Sequence, residues 1–154
     1  MLRSLFFILL AGPLAATAQS KLGKTLPELK KELDAFVSNN KSLKPLLTQS
    51  AGELKLVNTD AKGQVVQFIY SFDDSTGTCN QEKTISSCEP CYKKLLDELV
   101  SRKEYEWKRI NESQYVSRFE DYLLIEMQET GKDFSFTLLK TAWTRALYDL
   151  MLQN

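Results

Sequence analysis

The chain has 154 residues, with 20 Lys and Arg set against 20 Asp and Glu and no His. That balance excludes the one-sided basic excess that a nucleic-acid or anionic-membrane partner needs. Without His, the usual general base of Ser and Cys hydrolases is missing, and so is a common zinc ligand.

In chain order, Arg3 precedes the apolar run Leu5-Phe6-Phe7-Ile8-Leu9-Leu10, and Ala16-Thr17-Ala18 supplies the small residues that a signal peptidase accepts. Residues 1–18 therefore read as a secretory leader cut before Gln19. The run falls short of the roughly 20 apolar residues of a bilayer span, so no stable membrane anchor is expected after cleavage. Removing 18 of the 154 residues leaves 136, a length for one domain with one core. Residues 19–24 read as a tether and residues 25–154 as that domain.

Thr25-Leu26-Pro27-Glu28 carries a capping box with Pro in the first turn, and Leu26, Leu29, Leu33, Phe36 and Val37 recur at helical spacing. A helix is predicted to end near Asn39-Asn40. After a loop around Lys44-Pro45, Leu54 and Leu56 alternate with Glu53 and Lys55 as in a strand. Asp60-Ala61-Lys62-Gly63 supplies a turn, and Val66, Phe68, Tyr70 and Phe72 line one face of a second strand, completing a hairpin. A turn at Asp73-Asp74-Ser75-Thr76-Gly77 leads to a weaker strand over residues 79–85.

Ser87 opens a second helical pattern with Tyr92, Leu95, Leu96, Leu99 and Val100 on one side. Tyr105, Trp107 and Arg109 alternate with Glu106, Lys108 and Ile110. Leu123, Ile125 and Met127 do the same before the turn at Thr130-Gly131-Lys132, and Phe134, Phe136 and Leu138 after it. From about Thr141 the residues Ala142, Leu147, Leu150 and Met151 predict a C-terminal helix. The fold class is thus α+β: an antiparallel sheet packed by helices on one face, with a C-terminal helix. Residues 25–86 and 87–154 read as two helix-plus-β-hairpin repeats, or as two ordinary segments that happen to converge.

Cys79, Cys88 and Cys91 are the only cysteines and all three are disulfide candidates. In an oxidising compartment a bridge is the expected state. The favoured reading pairs Cys79 with Cys88 or Cys91, closing a loop of about ten residues for roughly 2 to 3 kcal/mol. A Cys88 to Cys91 bridge with Cys79 free stays open. Cys88-Glu89-Pro90-Cys91 at a helix start resembles the active-site motif of thioredoxin-like oxidoreductases, which implies a thiol-disulfide redox role for that pair. Against it, no Pro follows Pro90 to supply the cis-proline loop of such folds, and the βαβ order is missing.

No metal centre, cofactor or catalytic constellation is expected. Three Cys without His make a poor zinc set, there is no Gly-rich phosphate cradle, and the acid pairs Asp73-Asp74 and Glu120-Asp121 suit turns. Most of the aromatics Tyr105, Trp107, Tyr115, Phe119, Tyr122 and Trp143 are expected in the core. Should one sheet face stay uncovered, Tyr105, Trp107 and Arg109 form a candidate binding surface, because aromatic and Arg side chains dominate interface hot spots. The leader ending in Ala-Gln, Tyr70-Ser71-Phe72-Asp73, the Cys79, Cys88 and Cys91 set and Trp143-Thr144-Arg145 together resemble small exported bacterial proteins of unknown function. The layout is also similar to the modules of periplasmic inhibitor proteins. The resemblance implies a secreted or periplasmic compartment and no activity; the missing catalytic constellations point to a binding or inhibitory module whose partner is undetermined, another protein being one candidate, with a redox protein using Cys88 and Cys91 as the alternative.

Overall fold

The computed structural model describes residues 20–153, so the predicted leader and the cut before Gln19 lie outside the described residues. Helix α1 (Leu26–Asn39) starts at the predicted cap. The Glu28 carboxylate accepts from the Thr25 backbone N–H at 2.9 Å and from its hydroxyl at 2.8 Å, which holds the Glu28 carboxyl below its usual range. Leu29, Leu33 and Phe36 are buried, and the Asn40 side-chain amide donates to the Phe36 carbonyl at the far end.

Four strands follow as a meander: β1 (Leu46–Ser50), β2 (Glu53–Thr59), β3 (Val65–Phe72) and β4 (Cys79–Ser86). The Asp60 carboxylate closes the β2–β3 turn by accepting from the N–H groups of Lys62 and Gln64, while Gly63 takes the left-handed φ of 78° that the turn needs. Helix α2 (Glu89–Val100) then leads into β5 (Lys108–Asn111), β6 (Gln114–Val116), β7 (Leu123–Thr130) and β8 (Asp133–Lys140). Helix α3 (Arg145–Met151) ends the chain.

All eight strands form one sheet in the order β1-β2-β3-β4-β8-β7-β6-β5, every neighbour antiparallel. The halves join where β4 meets β8, in register from Gln81 opposite Leu139 to Ser86 opposite Phe134. Each half runs helix, then four strands, and the two meanders meet at their last strands.

Alternation along the strands sends Leu54, Leu56, Phe68 and Tyr70 under α1, and Leu123, Ile125, Phe136 and Leu138 under α2. Leu95 of α2 packs against both clusters. A third cluster lies on the other face. Val116 and Leu124 are register partners whose neighbours Tyr115 and Ile125 point to the helix side, so Trp143 and Tyr148, which pack with Val116 and Leu124, seal the opposite face through α3.

Several boundaries differ from expectation. Strand β1 replaces part of a predicted loop; nearly all its side chains are exposed, so it carries no alternation to read. The predicted strand through Tyr105 and Trp107 is interrupted, because Tyr105 ends a 3-10 turn and Glu106 adopts a left-handed φ of 49°. Helix α2 is capped by Cys88 rather than opened by Ser87, and α3 starts at Arg145, capped by Thr144. Leu147 and Leu150, two of the residues that predicted this helix, are exposed.

Candidate functional site

The residues that alternation places on the helix side of β2 are Leu54, Leu56 and Asn58. An apolar cleft of about 300 Å³ adjoins Asn58, between the 3-10 turn Lys41–Leu43 that follows α1 and the first turns of α2. Leu43, Val66, Phe68 and Leu95 line it with Asn58, and so do Asp60, Gln64, Cys91 and Lys94. Asn58 is only 6% exposed, and its Oδ1 has no hydrogen-bond partner. Leaving such a buried acceptor unpaired costs about 1–3 kcal/mol. The cleft is thus lined by a side chain whose amide oxygen is enclosed and unsatisfied.

Cys91 brings a disulfide to this cleft. Cys88 caps α2 and is bonded to Cys91, with Cα atoms 5.2 Å apart. Its sulfur accepts from the Cys91 backbone N–H at 3.2 Å, and its own N–H donates to the Ser86 hydroxyl at 3.0 Å. Cys88 is buried and Cys91 is half-buried. The Cys91 sulfur lies 3.4 Å from Gln64 Oε1, a contact that becomes a hydrogen bond only when the bridge is open and Cys91 carries a proton.

The favoured pairing of Cys79 with Cys88 or Cys91 is thereby corrected. Cys79 is a free, buried thiol that donates to the Gln81 carbonyl, and burial pushes its pKa up to about 12. The reason is reach: Cys79 starts an eight-residue strand and Cys88 follows its end, so at roughly 3.3 Å per residue they stand far beyond the ~7 Å Cα limit of a disulfide. Closing the short Cys88-to-Cys91 loop constrains the unfolded chain less, by about 2 kcal/mol in the chain-entropy model.

A second polar feature closes the other end of the space between the helices. Glu82 Oε1 accepts from the Ser20 hydroxyl at 2.7 Å and from the backbone N–H groups of Lys21 and Leu22. Lys21, itself buried, reaches Glu32 at 3.1 Å. The Gly23 N–H donates to the Cys79 carbonyl and the Cys79 N–H to the Lys24 carbonyl. Residues 20–24, predicted as a tether, are thus pinned to the sheet. Burial raises the Glu82 pKa against the pull of these donors and of Lys21.

A raised acid pKa has a definite sign. As pH climbs above the ordinary Glu value of 4.5, the unfolded chain loses this proton first, so the Glu82 contribution to stability falls until the folded carboxyl has also ionised. Glu82→Gln keeps Oε1 for all three donors and cannot ionise. Its stability relative to the wild type, from urea midpoints at pH 4 and pH 7 measured side by side, is expected to increase toward pH 7. An unchanged difference between the two pH values would contradict this.

The predicted binding residues are brought only partly together. The Tyr105 and Trp107 rings lie 5.5 Å apart and pack on the α2-side cluster, while exposed Arg109 lies 5.8 Å over the neighbouring Tyr115 ring. They occupy the β5 edge of the helix-covered face, away from the uncovered one. The Trp107 indole N–H is enclosed without a partner. Phe119, Tyr122 and Trp143 join the α3 cluster. Of the acid pairs, Asp73 accepts from Ser75 and Thr76 in a turn, which lowers its pKa, and Asp121 pairs with Arg118 at 3.0 Å.

Among the described residues no group of three or more His, Cys, Asp or Glu side chains is placed to hold a metal ion, and no helix is long and apolar enough to cross a membrane. Comparison with known proteins found no match: no family model, no curated protein and no solved structure.

Proposed function

We propose that the chain is an exported, non-enzymatic binding module and that its ligand site is the cleft that β2, β3 and α2 enclose. One observation carries the reading: an apolar cleft of about 300 Å³ retains a buried, unpartnered acceptor at Asn58. That volume lies at the lower end of small-molecule sites, which combine apolar walls with a few fixed polar groups. Its ionisable lining residues are Asp60, already engaged by the N–H groups of Lys62 and Gln64, and Lys94, which faces Glu98 at 4.0 Å, an arrangement that suits recognition better than proton transfer. The fitting ligand has an apolar body and one N–H or O–H donor, which a turn of the Asn58 side chain into the cleft would bring within reach of its Oδ1. Export is supported by the leader pattern in residues 1–18 and by the Cys88–Cys91 bridge, since disulfides persist outside the reducing cytosol.

The test uses 8-anilinonaphthalene-1-sulfonate, an apolar probe with a single amine N–H. Saturable one-to-one fluorescence enhancement is expected with the folded protein. Asn58→Leu, which keeps the shape and removes the orphan acceptor, is expected to stabilise the fold by about 1 kcal/mol. The same change should weaken the probe about tenfold, the equivalent of 1.4 kcal/mol. Val66→Trp, which fills the cleft, should abolish binding while leaving a cooperative melt. Probe binding that is absent from the wild type, or unaffected by both substitutions, refutes the reading.

A further inference from the structure

We propose that a second, smaller pocket over strands β3 and β4, lined by Tyr70, Glu82 and Thr84, is a binding site for one primary ammonium group. It lies on the helix side of the sheet, shares only Phe68 and Leu95 with the cleft at Asn58, and holds about 50 Å³. At roughly 10–15 Å³ for each water-sized group, that admits a few heavy atoms and no more.

The sheet sets its polar groups. Tyr70 and Glu82 are register partners, Thr84 stands two residues further along β4, and all three face the helices. Tyr70 is 3% and Thr84 6% exposed, and neither hydroxyl has a hydrogen-bond partner among the described residues. Among those residues the fully enclosed side-chain atoms without a partner belong to Asn58 and Trp107. The Tyr70 and Thr84 hydroxyls are therefore not enclosed, and the pocket is the space that their side chains line. Glu82 takes its three donors on Oε1, which leaves Oε2 without a partner.

The charge at this point is negative. Glu98 and Arg102 of α2 line the pocket with opposite signs, alternation turns the Lys83 side chain to the other face of the sheet, and Lys21 is engaged by Glu32. The Glu82 carboxylate is thus left with little counter-charge, and its burial holds the pKa up. An ammonium supplies the missing charge and brings three N–H donors to a carboxylate and two hydroxyl oxygens. An anion would be repelled by Glu82, and a neutral donor leaves the charge unbalanced. Two sources share this chemistry. One is the α-amine of Gln19, freed by the leader cut on which the export reading above rests. Gln19 is one residue, about 3.8 Å between Cα atoms, from Ser20. Ser20 itself lines the pocket, with its hydroxyl 2.7 Å from Glu82 Oε1. The other source is a small external amine.

The experiment uses the chain from Gln19 to Asn154, released from a fusion partner with its native first residue, so the result does not depend on export. A free N-terminal Gln cyclises when its neutral amine attacks its own side-chain Cδ and ammonia leaves; an amine held as ammonium cannot attack. Glutaminyl cyclase supplies the second form, closed to the neutral pyroglutamate. Methylammonium is titrated into both forms while the resonances of Tyr70 and Thr84 are followed by nuclear magnetic resonance, with tetramethylammonium, which has no N–H, as the control. If Gln19 is the source, it cyclises at least about tenfold more slowly than in Glu82→Gln, and methylammonium shifts the two residues saturably in the closed form alone. If the amine is external, Glu82→Gln leaves cyclisation unchanged and methylammonium shifts both forms. Either result supports the site. Glu82→Gln should abolish methylammonium binding, and Thr84→Val, which keeps the shape, should weaken it about tenfold. The pH trend expected above for Glu82→Gln is read on the closed form, because a bound ammonium opposes it. The proposal is overturned if methylammonium leaves both residues unmoved in the closed form, if tetramethylammonium shifts them equally, or if the shifts survive both substitutions. An exported protein whose first residue is not Gln19 would remove the first source and leave the pocket result standing.

Discussion

Trp143→Ala is expected to destabilise the protein by about 3–5 kcal/mol, the usual cost of emptying a large aromatic site. Trp143 is 6% exposed, its indole N–H donates to the Phe119 carbonyl at 3.1 Å, and its ring stacks on Tyr122 and tilts against Tyr148. Tyr148 in turn donates from its hydroxyl to the Ser117 carbonyl at 2.8 Å. Helix α3 has seven residues, too few to persist alone, so its docking depends on this cluster. Loss of the indole should therefore free α3 as well as open a cavity. A lowered urea midpoint together with loss of the near-ultraviolet circular dichroism of the packed rings is the expected signature. Trp143→Phe should cost less, because it keeps most of the ring contact and loses mainly the bond to Phe119. An alanine variant within about 1 kcal/mol of the wild type, the range of ordinary surface substitutions, would contradict the packing described.

What the sequence made legible was local. The box of Thr25 and Glu28 set the start of α1, and the period-two run of Val66, Phe68, Tyr70 and Phe72 set β3, because both signals sit within one element. Strands β1 and β6 were not legible: one is nearly all exposed and the other has three residues, so neither shows a period. Left-handed φ values at Glu106 and Tyr122, which are not glycines, gave no warning of the breaks around them.

The site was half legible. Asn58 continues the inward series of Leu54 and Leu56, and a polar residue at an inward position is itself a flag. The pairing of the cysteines could also have been deduced, since a strand over residues 79–85 and a bridge from Cys79 to Cys88 exclude each other by length. By contrast, Glu82 holds the Lys21 N–H across 61 residues of sequence, and no local pattern encodes that contact.

The join of β4 to β8 makes the two halves one cooperative unit, and Ile125→Ala tests this from the side remote from α1. Ile125 is fully buried under α2, so truncation should cost about 2–5 kcal/mol. Six register pairs cross the β4–β8 join, and Leu95 packs on the clusters of both halves. Opening the second half would therefore strip β4 of one neighbour and α1's cluster of one wall. Amide exchange is expected to accelerate in β2 and β3 by the same factor as in β7 and β8, with a single unfolding transition. Were the halves separable, only amides from α2 onward would lose protection, and the first half would keep its wild-type exchange. The cleft proposed as the ligand site depends on the same coupling: its walls come from β2 and β3 on one hand and from α2 on the other, so its shape is held only while both halves remain on the common sheet.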